Sequence, residues 1–183
     1  MSRPLASRFG CHLGAFTLLE LLVVLGVIGI LSSLVLGVGR SAGVSGKAAR
    51  CRAELGVLGG ALESYKAAHG DYPRTDNTAD LLQALIGRRG PDNQPVAAPS
   101  LIEVARLTIS GARDPFADAT ALMVDPWGQA YRYAYRSQIP WTNPAFVLWS
   151  AGPDGTDRPD LLTGGFPDRQ AEANRDNIYA DQP

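Results

Sequence analysis

A carboxylate inside an apolar run is the group that most clearly indicates chemistry in this chain. Glu20 is the only ionisable side chain between Phe16 and Val38, and it lies near the beginning of that run. A charged carboxylate costs about 2.5–3.5 kcal/mol at the centre of a bilayer and less near the interface. Because the run contains no Lys or Arg, we expect Glu20 to pair with a cation from elsewhere, and a cleaved chain end is one candidate. A membrane anchor that tolerates an interfacial glutamate is the alternative.

The apolar run is the element that must position Glu20. At about 1.5 Å rise per residue, the run reaches roughly 35 Å as a helix, against about 30 Å of hydrocarbon in a bilayer. We therefore predict a membrane-spanning helix over residues 16–39. Residues 1–15 are basic and too polar for the hydrophobic region of a secretory signal peptide. A signal peptide cut after the run, where small residues such as Ser32 and Ser33 occur, stays open.

Composition limits the classes of function. The chain has 183 residues, a mass of 19.4 kDa and a net charge of −1, which fits one spanning helix and one modest domain. A near-neutral charge gives no support for nucleic-acid binding. Arginines interleave with Tyr131, Tyr133 and Tyr135, as they do in some stacking platforms, but a half-buried strand explains this alternation. We expect no nucleic-acid partner.

Nucleophile and base residues are scarce. After residue 15 the chain contains one histidine, His69, and one cysteine, Cys51. Both fall on one predicted helix about 27 Å apart, so they cannot form a dyad within a subunit. Nothing in the sequence positions a Ser–Lys pair, and we expect no enzymatic activity. The other cysteine, Cys11, lies in residues 1–15. Without that segment, one cysteine cannot form an internal disulfide bond, and stability must come from packing or from a metal ion.

The segment after the run predicts a second, amphipathic helical part over residues 40–69. Glycines from Gly37 to Gly46 predict a bend or local melting, because each costs about 1 kcal/mol relative to Ala in a helix. From Lys47 onward apolar residues recur every three or four positions, which predicts one buried stripe. Gly70 is predicted to end the helix. The stripe consists of Leu55, Leu58, Leu62 and Tyr65.

The rest of the chain predicts a small domain with strands. A short helix is expected at residues 81–85, and residues 87–124 are interpreted as a variable loop region with a short helix or strand at 101–109. Residues 125–128, Asp-Pro-Trp-Gly, predict a tight turn. The alternating tyrosines that follow predict a strand with one aromatic face, and residues 145–150 predict a second strand.

The residues from Gly14 to Val24, GAFTLLELLVV, resemble the processing motif of type IV prepilins and type II secretion pseudopilins. The resemblance implies that a prepilin peptidase removes residues 1–15 by cutting after Ala15 and methylates the new N-terminal Phe16. It also implies that Glu20 pairs with the N-terminal ammonium of a neighbouring subunit during filament assembly. The family usually has Gly before the cut. A cut after Gly14 would shift Glu20 by one position, so we prefer Ala15.

Two further stretches resemble the major pseudopilin of type II secretion: residues 61–85, and the Asp-Pro-Trp-Gly turn with the strands and the Ser-Ala-Gly-Pro-Asp-Gly loop that follow. The implied fold is α+β, with a long N-terminal helix packed on a small antiparallel sheet. The implied function is a filament subunit that drives protein export. The first half of the helix would span the inner membrane, and residues 70–183 would form a periplasmic globular domain. The positive-inside rule alone would favour the opposite orientation.

The resemblance also implies partners, for which alternatives stay open. The partners would be copies of the chain itself, the prepilin peptidase/methyltransferase, other pseudopilins, the inner-membrane assembly platform and the membrane. One alternative within the class is a type IV pilin or minor pseudopilin serving adhesion, DNA uptake or tip initiation. A non-polymerising, membrane-anchored binding protein is an alternative of another class.

The resemblance finally implies one Ca²⁺ ion in the acidic C-terminal loop region, residues 150–183. From residue 150 onward there are seven acidic residues and three arginines, a net charge of −4. Clustered carboxylates repel one another without a cation, and calcium prefers such oxygens. A solvated, partly disordered acidic tail is the alternative. The implied ligands are Ser150, the carbonyl of Ala151, Asp154, Asp176 and Asn177.

Overall fold

The computed structural model describes residues 17–111, 114–156 and 161–181, with the side chains of residues 34–42 left out. The chain divides into two compact units, Met1–Ala42 and Gly43–Pro183. Helix α1 comprises Leu18–His69. The local melting predicted between Gly37 and Gly46 is therefore wrong, because the helix continues through these glycines in spite of their weak helix propensity. A bend there stays a prediction. Within the part of the chain that the structure describes, no helix is long and apolar enough to cross a membrane.

The first part of α1 exposes its apolar side chains. Every described residue from Thr17 to Ser33 is exposed, including Leu18, which is 84% exposed. The sequence accounts for the lack of a buried stripe in this part, because apolar residues lie on all sides of the helix and distinguish no single face.

The second part of α1, from Gly43 onward, has the predicted buried stripe. Leu55, Leu58, Leu62 and Tyr65 are all buried, together with Cys51 one turn earlier. The helix ends as predicted at Gly70, which has a φ of 84° and donates its N–H to the carbonyl of Lys66 at 2.8 Å.

Asp71 fixes the exit from α1. Its carboxylate accepts hydrogen bonds from the Arg74 guanidinium at 2.8 Å and from the Tyr135 hydroxyl at 2.7 Å. Arg136 is also paired with it at 3.2 Å. These contacts join the end of the helix to residues that follow strand β3, which is Arg132–Ala134.

Helix α2, Thr78–Leu85, is the predicted short helix. Asn77 caps it, because its Oδ1 accepts the N–H of Ala79 at 2.8 Å. Its leucines Leu81, Leu82 and Leu85 are buried in the same core cluster as the α1 stripe.

Seven short strands complete the architecture. The central antiparallel sheet has the order β3-β4-β7, with β4 at Val147–Ser150 and β7 at Ile178–Tyr179. Strands β1, Thr108–Ser110, and β2, Leu122–Val124, form an antiparallel pair. Strands β5, Leu161–Leu162, and β6, Phe166–Pro167, form another. Two 3-10 helices comprise Val104–Arg106 and Glu172–Asn174.

The strands in two irregular regions differ in part from expectation. Residues 87–124 were interpreted as a variable loop region with a short helix or strand at 101–109, and the 3-10 helix and β1 lie there, but strand β2 was not predicted. The pair β5 and β6 was not expected at all, because residues 161–167 have no clear period-two pattern. Gly164 and Gly165, with φ of 92° and 83°, make the turn between these strands.

The central sheet separates two apolar clusters. Tyr131, Tyr133 and Tyr135 face the main core beside the α1 stripe and α2, which confirms the predicted aromatic face. Ala134 and Trp149 belong to a smaller cluster built from the alternate residues of β3 and β4. The fold is therefore α+β, with helices and small antiparallel sheets around one principal core.

Candidate functional site

The first candidate site is Glu20, near the start of α1. The Glu20 N–H donates to Thr17 Oγ1 at 3.2 Å, and the Thr17 N–H donates to Glu20 Oε2 at 3.4 Å. This reciprocal arrangement is a capping box, which satisfies backbone donors at a helix N-terminus. Sequence reasoning searched for a cation and missed this neutral partner, although the Thr-x-x-Glu spacing signals it. The predicted processing residues Gly14, Ala15 and Phe16 lie outside the described residues.

The second candidate site lies where β4 ends and β7 begins. Ser150 and Ile178 are paired across these strands, so the loop after Ser150 runs beside the residues that precede Ile178. The Asp154 N–H donates to Asp176 Oδ2 at 3.2 Å. The structure therefore brings together residues of the implied calcium set that are far apart in sequence. We call residues 150–156 together with 176–177 the acidic loop.

Gly152 is the point of closest approach within the acidic loop. Its φ is 69°, and a Cβ atom placed on it would lie 2.3 Å from the Asp176 carbonyl oxygen. A side chain larger than hydrogen cannot fit there without a backbone shift. Glycine therefore sets how closely the two halves of the loop approach each other.

The two carboxylates of the acidic loop remain available to a cation. Asp154 is exposed, and its two oxygens accept the N–H and the hydroxyl of Thr156, each at 2.8 Å. The bond from the Thr156 N–H, followed by that from its hydroxyl, lowers the pKa of Asp154. Asp154 is accordingly charged at neutral pH. Each carboxylate oxygen has two acceptor sites, so these bonds do not exhaust it.

Asn177 is the unusual member of the acidic loop. The side chain is 6% exposed, and neither Oδ1 nor Nδ2 has a hydrogen-bond partner among the described residues. Burial of an unpaired amide costs about 1–3 kcal/mol. A buried amide oxygen that has no partner among the described residues, in the residue next to Asp176, is a donor type that a hard cation accepts, since its preferred ligands are carboxylate, amide and backbone oxygens.

Ser150 is directed into the protein. Its Oγ donates to Asp125 Oδ2 at 2.5 Å and accepts the N–H of Gly152 at 3.1 Å. Asp125 is the first residue of the predicted tight turn, which is present because the Gly128 N–H donates to the Asp125 carbonyl at 2.9 Å. Sequence analysis missed the role of Asp125, since nothing local in the sequence shows that this turn lies against the loop after β4.

The donor types restrict the choice of cation. No group of three or more His, Cys, Asp or Glu side chains comes together in the described parts of the chain. A structural zinc site of cysteines and histidines is therefore not formed by those residues. Two carboxylates, one amide oxygen and the carbonyl of Ala151 are oxygen donors, which suit calcium.

Cys51 belongs to a buried polar cluster between α1 and the sheet. The Tyr131 hydroxyl donates to Glu54 Oε2 at 2.6 Å and lies 3.9 Å from the Cys51 sulfur. Arg50 pairs with the other oxygen of Glu54 at 2.7 Å. Burial raises the pKa of the Cys51 thiol, so it stays protonated at neutral pH. These contacts attach α1 to β3 and give Cys51 a packing role.

The architecture defines a class before any comparison is made: an α+β protein with a long N-terminal helix, small antiparallel sheets and an acidic loop at a strand end. This is consistent with a pilin-like fold. The sequence model of the family described as type II secretion system (T2SS), protein G, matches residues 40–160.

Curated relatives agree with that match. The type II secretion system core protein G of Klebsiella pneumoniae is 35% identical over 142 residues, which cover 76% of this chain and 84% of the relative. The protein of the same name from Escherichia coli is 34% identical, covering 76% and 81%. The one from Pseudomonas aeruginosa is 30% identical, covering 76% and 83%. No solved structure matches the chain significantly. The chain belongs to the protein G family of the type II secretion system.

Proposed function

We propose that the chain is a structural subunit of a type II secretion pseudopilus and assembles through its N-terminal helix into a periplasmic filament that drives protein export. The family membership carries this proposal, since the curated relatives are named core protein G of that system. The exposed apolar surface of Leu18–Ser33 supports it, because helices of neighbouring subunits would bury that surface. The names of the relatives do not favour the pilin, minor pseudopilin or membrane-anchor alternatives.

The proposal extends to processing and location. A prepilin peptidase would cut after Ala15 and methylate Phe16, leaving Thr17 and Glu20 in the first turn of the mature helix. Residues 16–39 would lie in the inner membrane until assembly, and the unit from Gly43 onward would lie in the periplasm. Mass spectrometry of the protein from its native membrane tests this. A chain that begins at methylated Phe16 is expected, and an intact Met1 leader would contradict the proposal.

Glu20 would pair with the N-terminal ammonium of a neighbouring subunit. Capping by Thr17 supports this role, because neutral donors hold the carboxylate in the unassembled subunit until a cation replaces them. An ammonium and a carboxylate that enter lipid together offset part of each other's desolvation cost. The other pseudopilins and the inner-membrane assembly platform are the remaining proposed partners. The chain would be a substrate of the peptidase and have no catalytic activity of its own.

Substitution of Glu20 tests assembly directly. Glu20→Ala should abolish filaments, as measured by cross-linking and shearing, while membrane insertion stays at the wild-type level. Glu103→Ala is a matched control, because Glu103 is an exposed glutamate on the globular unit whose ion pair with Arg106 is also exposed. Normal filaments from Glu20→Ala would favour an anchored protein that does not polymerise.

We further propose that the acidic loop binds one Ca²⁺ ion. Asp154, Asp176 and Asn177 would supply side-chain oxygens and Ala151 its carbonyl, while Ser150 would hold the loop from inside. The bound ion would neutralise the repulsion between the carboxylates and give the Asn177 amide oxygen a partner. These residues close the loop onto the start of β7 before any ion binds.

Calorimetry with Ca²⁺ and melting with a chelator test the calcium proposal on the full chain in detergent. Binding heat and a melting temperature that the chelator lowers are expected. Asp154→Asn should weaken binding, whereas Asp118→Asn should not. Asp118 is a close match for Asp154, since it accepts the same two bonds from a threonine two residues later, Thr120. Absence of heat and of a chelator effect would remove the calcium site.

A further inference from the structure

We infer that Asp125 is a positioning residue for the acidic loop and acts through Ser150 without touching the cation. The inference rests on the proposed calcium site and adds a residue from a distant turn to it. Asp125 lies 25 residues before Ser150 in the chain, and their side chains are joined by a 2.5 Å hydrogen bond.

The carboxylate of Asp125 is buried and hydrogen-bonded inside the protein. Asp125 is 2% exposed. Oδ1 accepts the N–H groups of Trp127 and Gln129, each at 2.9 Å, and Oδ2 accepts the Ser150 hydroxyl. Two of these three bonds stay inside the turn. The bond from Ser150 is the one that leaves the turn and reaches the acidic loop.

Ser150 connects the Asp125 carboxylate to the acidic loop. It is fully buried at the end of β4, and its Oγ also accepts the N–H of Gly152. Because the Asp125 carboxylate accepts the hydroxyl proton, Oγ turns an acceptor site towards Gly152. Gly152 in turn lies directly against Asp176, where no Cβ atom fits. A chain of contacts therefore runs from Asp125 through Ser150 and Gly152 to Asp176.

The same turn contacts the far end of the loop as well. The Gln129 side chain lies 3.4 Å from the position of a Cβ atom built on Gly155. The turn thus reaches the loop through Ser150, which is bonded to Gly152, and the side chain of Gln129, the residue after the turn, lies beside Gly155. Between these two points lies Asp154, whose N–H is directed at Asp176.

An unpaired group in the loop indicates what this positioning serves. The buried Asn177 amide has no partner among the described residues and follows directly after Asp176. Groups that orient metal ligands from behind typically change metal affinity by about 10–100-fold when they are altered. We expect Asp125 to have an effect of that size, although it offers the ion no free oxygen.

The test compares calcium affinity of the full chain in detergent by calorimetry, with the Ca²⁺ ion alone as the probe. Asp125→Asn keeps the size of the side chain and the acceptor for Trp127 and Gln129, but it places a donor opposite the Ser150 hydroxyl. Affinity should fall by about 10–100-fold. Asp118→Asn removes the same charge elsewhere and should leave affinity unchanged.

A double-mutant cycle separates positioning through Ser150 from a general loss of structure. In a Ser150→Ala background, Asp125→Asn should cause less than about a twofold further change, because the connection is already broken. In the calcium-free protein, both single variants should speed hydrogen exchange at the Gly152 and Asp154 amides. If Asp125→Asn fails to fold, Ser150→Ala alone must show the faster exchange.

The outcomes distinguish this inference from the calcium proposal. Calcium binding by the wild type with unchanged affinity in Asp125→Asn would overturn the inference and leave the calcium site standing. Independent, multiplying effects in the cycle would also overturn it. Wild-type protein that binds no calcium would remove the calcium proposal and this inference with it.

Discussion

The two parts of helix α1 differ in where their apolar side chains find contacts. From Leu18 to Ser33 all described residues are exposed, whereas from Cys51 to Tyr65 the stripe residues are at most 1% exposed. One helix thus contains a part that its own chain covers and a part that it leaves bare. The fold of the chain therefore buries the apolar stripe of the second part and leaves the described apolar side chains of the first part exposed.

The carboxylates in the two parts of α1 also differ in their hydrogen-bond partners. In the second part, Glu54 is buried and bonded to Tyr131 and Arg50 from its own chain. In the first part, the bonds that Glu20 makes with described residues are those of the neutral cap provided by Thr17. A buried carboxylate in the globular unit is fully paired by folding, and the one in the bare helix keeps acceptor capacity for a partner.

The largest expected effect is on the buried stripe. Leu58→Ala should lower the free energy of unfolding of the globular unit by about 2–5 kcal/mol, because Leu58 is 0% exposed and its removal leaves a cavity. Leu25→Ala, in the bare part, should change it by less than about 0.5 kcal/mol. Tryptophan fluorescence during denaturation measures both, since all three tryptophans lie after residue 43. Equal losses of unfolding free energy in the two variants would contradict the difference between the two parts of α1.

The acidic loop offers the next effect. Gly152→Ala should cost about 2 kcal/mol or more, because a left-handed residue acquires a side chain that collides with the Asp176 carbonyl. Gly70→Ala is the matched control: its φ is also positive, but nothing lies within 4 Å of its Cβ position. It should cost about 1 kcal/mol. Thermal melting of both variants without calcium separates the cost of backbone strain, which both share, from the cost of the collision, which only Gly152→Ala has. Equal losses of stability would show that the collision with Asp176 costs nothing.

The exit from α1 gives a smaller, pH-dependent effect. Partial burial acts to raise the pKa of Asp71, but hydrogen bonds from Arg74, Tyr135 and the Tyr72 N–H outweigh it and lower the pKa below 3.8. The folded state therefore binds the proton less tightly than the unfolded state. Its stabilising contribution is complete above about pH 4 and is lost as the pH falls through the folded pKa.

Asp71→Asn should accordingly cost about 1–2 kcal/mol at pH 7, and the difference from wild type should shrink as the pH falls through the lowered pKa of Asp71. Asp92→Asn is the control, since Asp92 pairs with Arg74 at an exposed position and should contribute under about 0.5 kcal/mol. Melting curves at several pH values measure both. A cost that persists unchanged in acid would assign Asp71 a role that does not depend on its charge.

The smallest effect concerns glycines within α1. Gly60→Ala should stabilise the unassembled globular unit by about 0.5–1 kcal/mol, because nothing lies within 4 Å of the added Cβ and alanine favours the helix. Gly29→Ala has equally open surroundings but lies in the bare part, so it should leave unfolding of the globular unit unchanged. Denaturant midpoints compare the two. A loss of stability in Gly60→Ala would mean that the second part of the helix is less open than described.

Features with local signals could be predicted well. The α1 stripe, the Gly70 helix end, the Asp-Pro-Trp-Gly turn and the alternating tyrosines each depend on a few neighbouring residues, and each is present. The local melting predicted near Gly37–Gly46 was wrong because propensity is a weak local term that the surrounding helix overrides. The short helix or strand expected at 101–109 is present as the 3-10 helix Val104–Arg106 and β1, whereas β2 was missed because its three residues are too few to show a period.

The candidate sites show what the resemblance and the spacing could and could not predict. The resemblance put Asp154, Asp176 and Asn177 into one proposed calcium site, and the structure brings Asp154 against Asp176. The resemblance also made Ser150 a calcium ligand, but its hydroxyl is directed at Asp125. Glu20 was assigned no partner in its own chain, yet the Thr17 cap was readable from the spacing.

Periodicity and turn chemistry alone specify a helix that is apolar throughout in its first part and amphipathic in its second, followed by a small domain with strands and an acidic end. The tertiary structure decides that Asp125 lies against Ser150, that Gly152 lies against Asp176, and that the Asn177 amide is buried without a hydrogen-bond partner among the described residues. The physical reason is distance along the chain. Helix and turn preferences arise between residues a few positions apart, whereas these contacts join segments more than twenty residues apart and exist only once the sheet has formed.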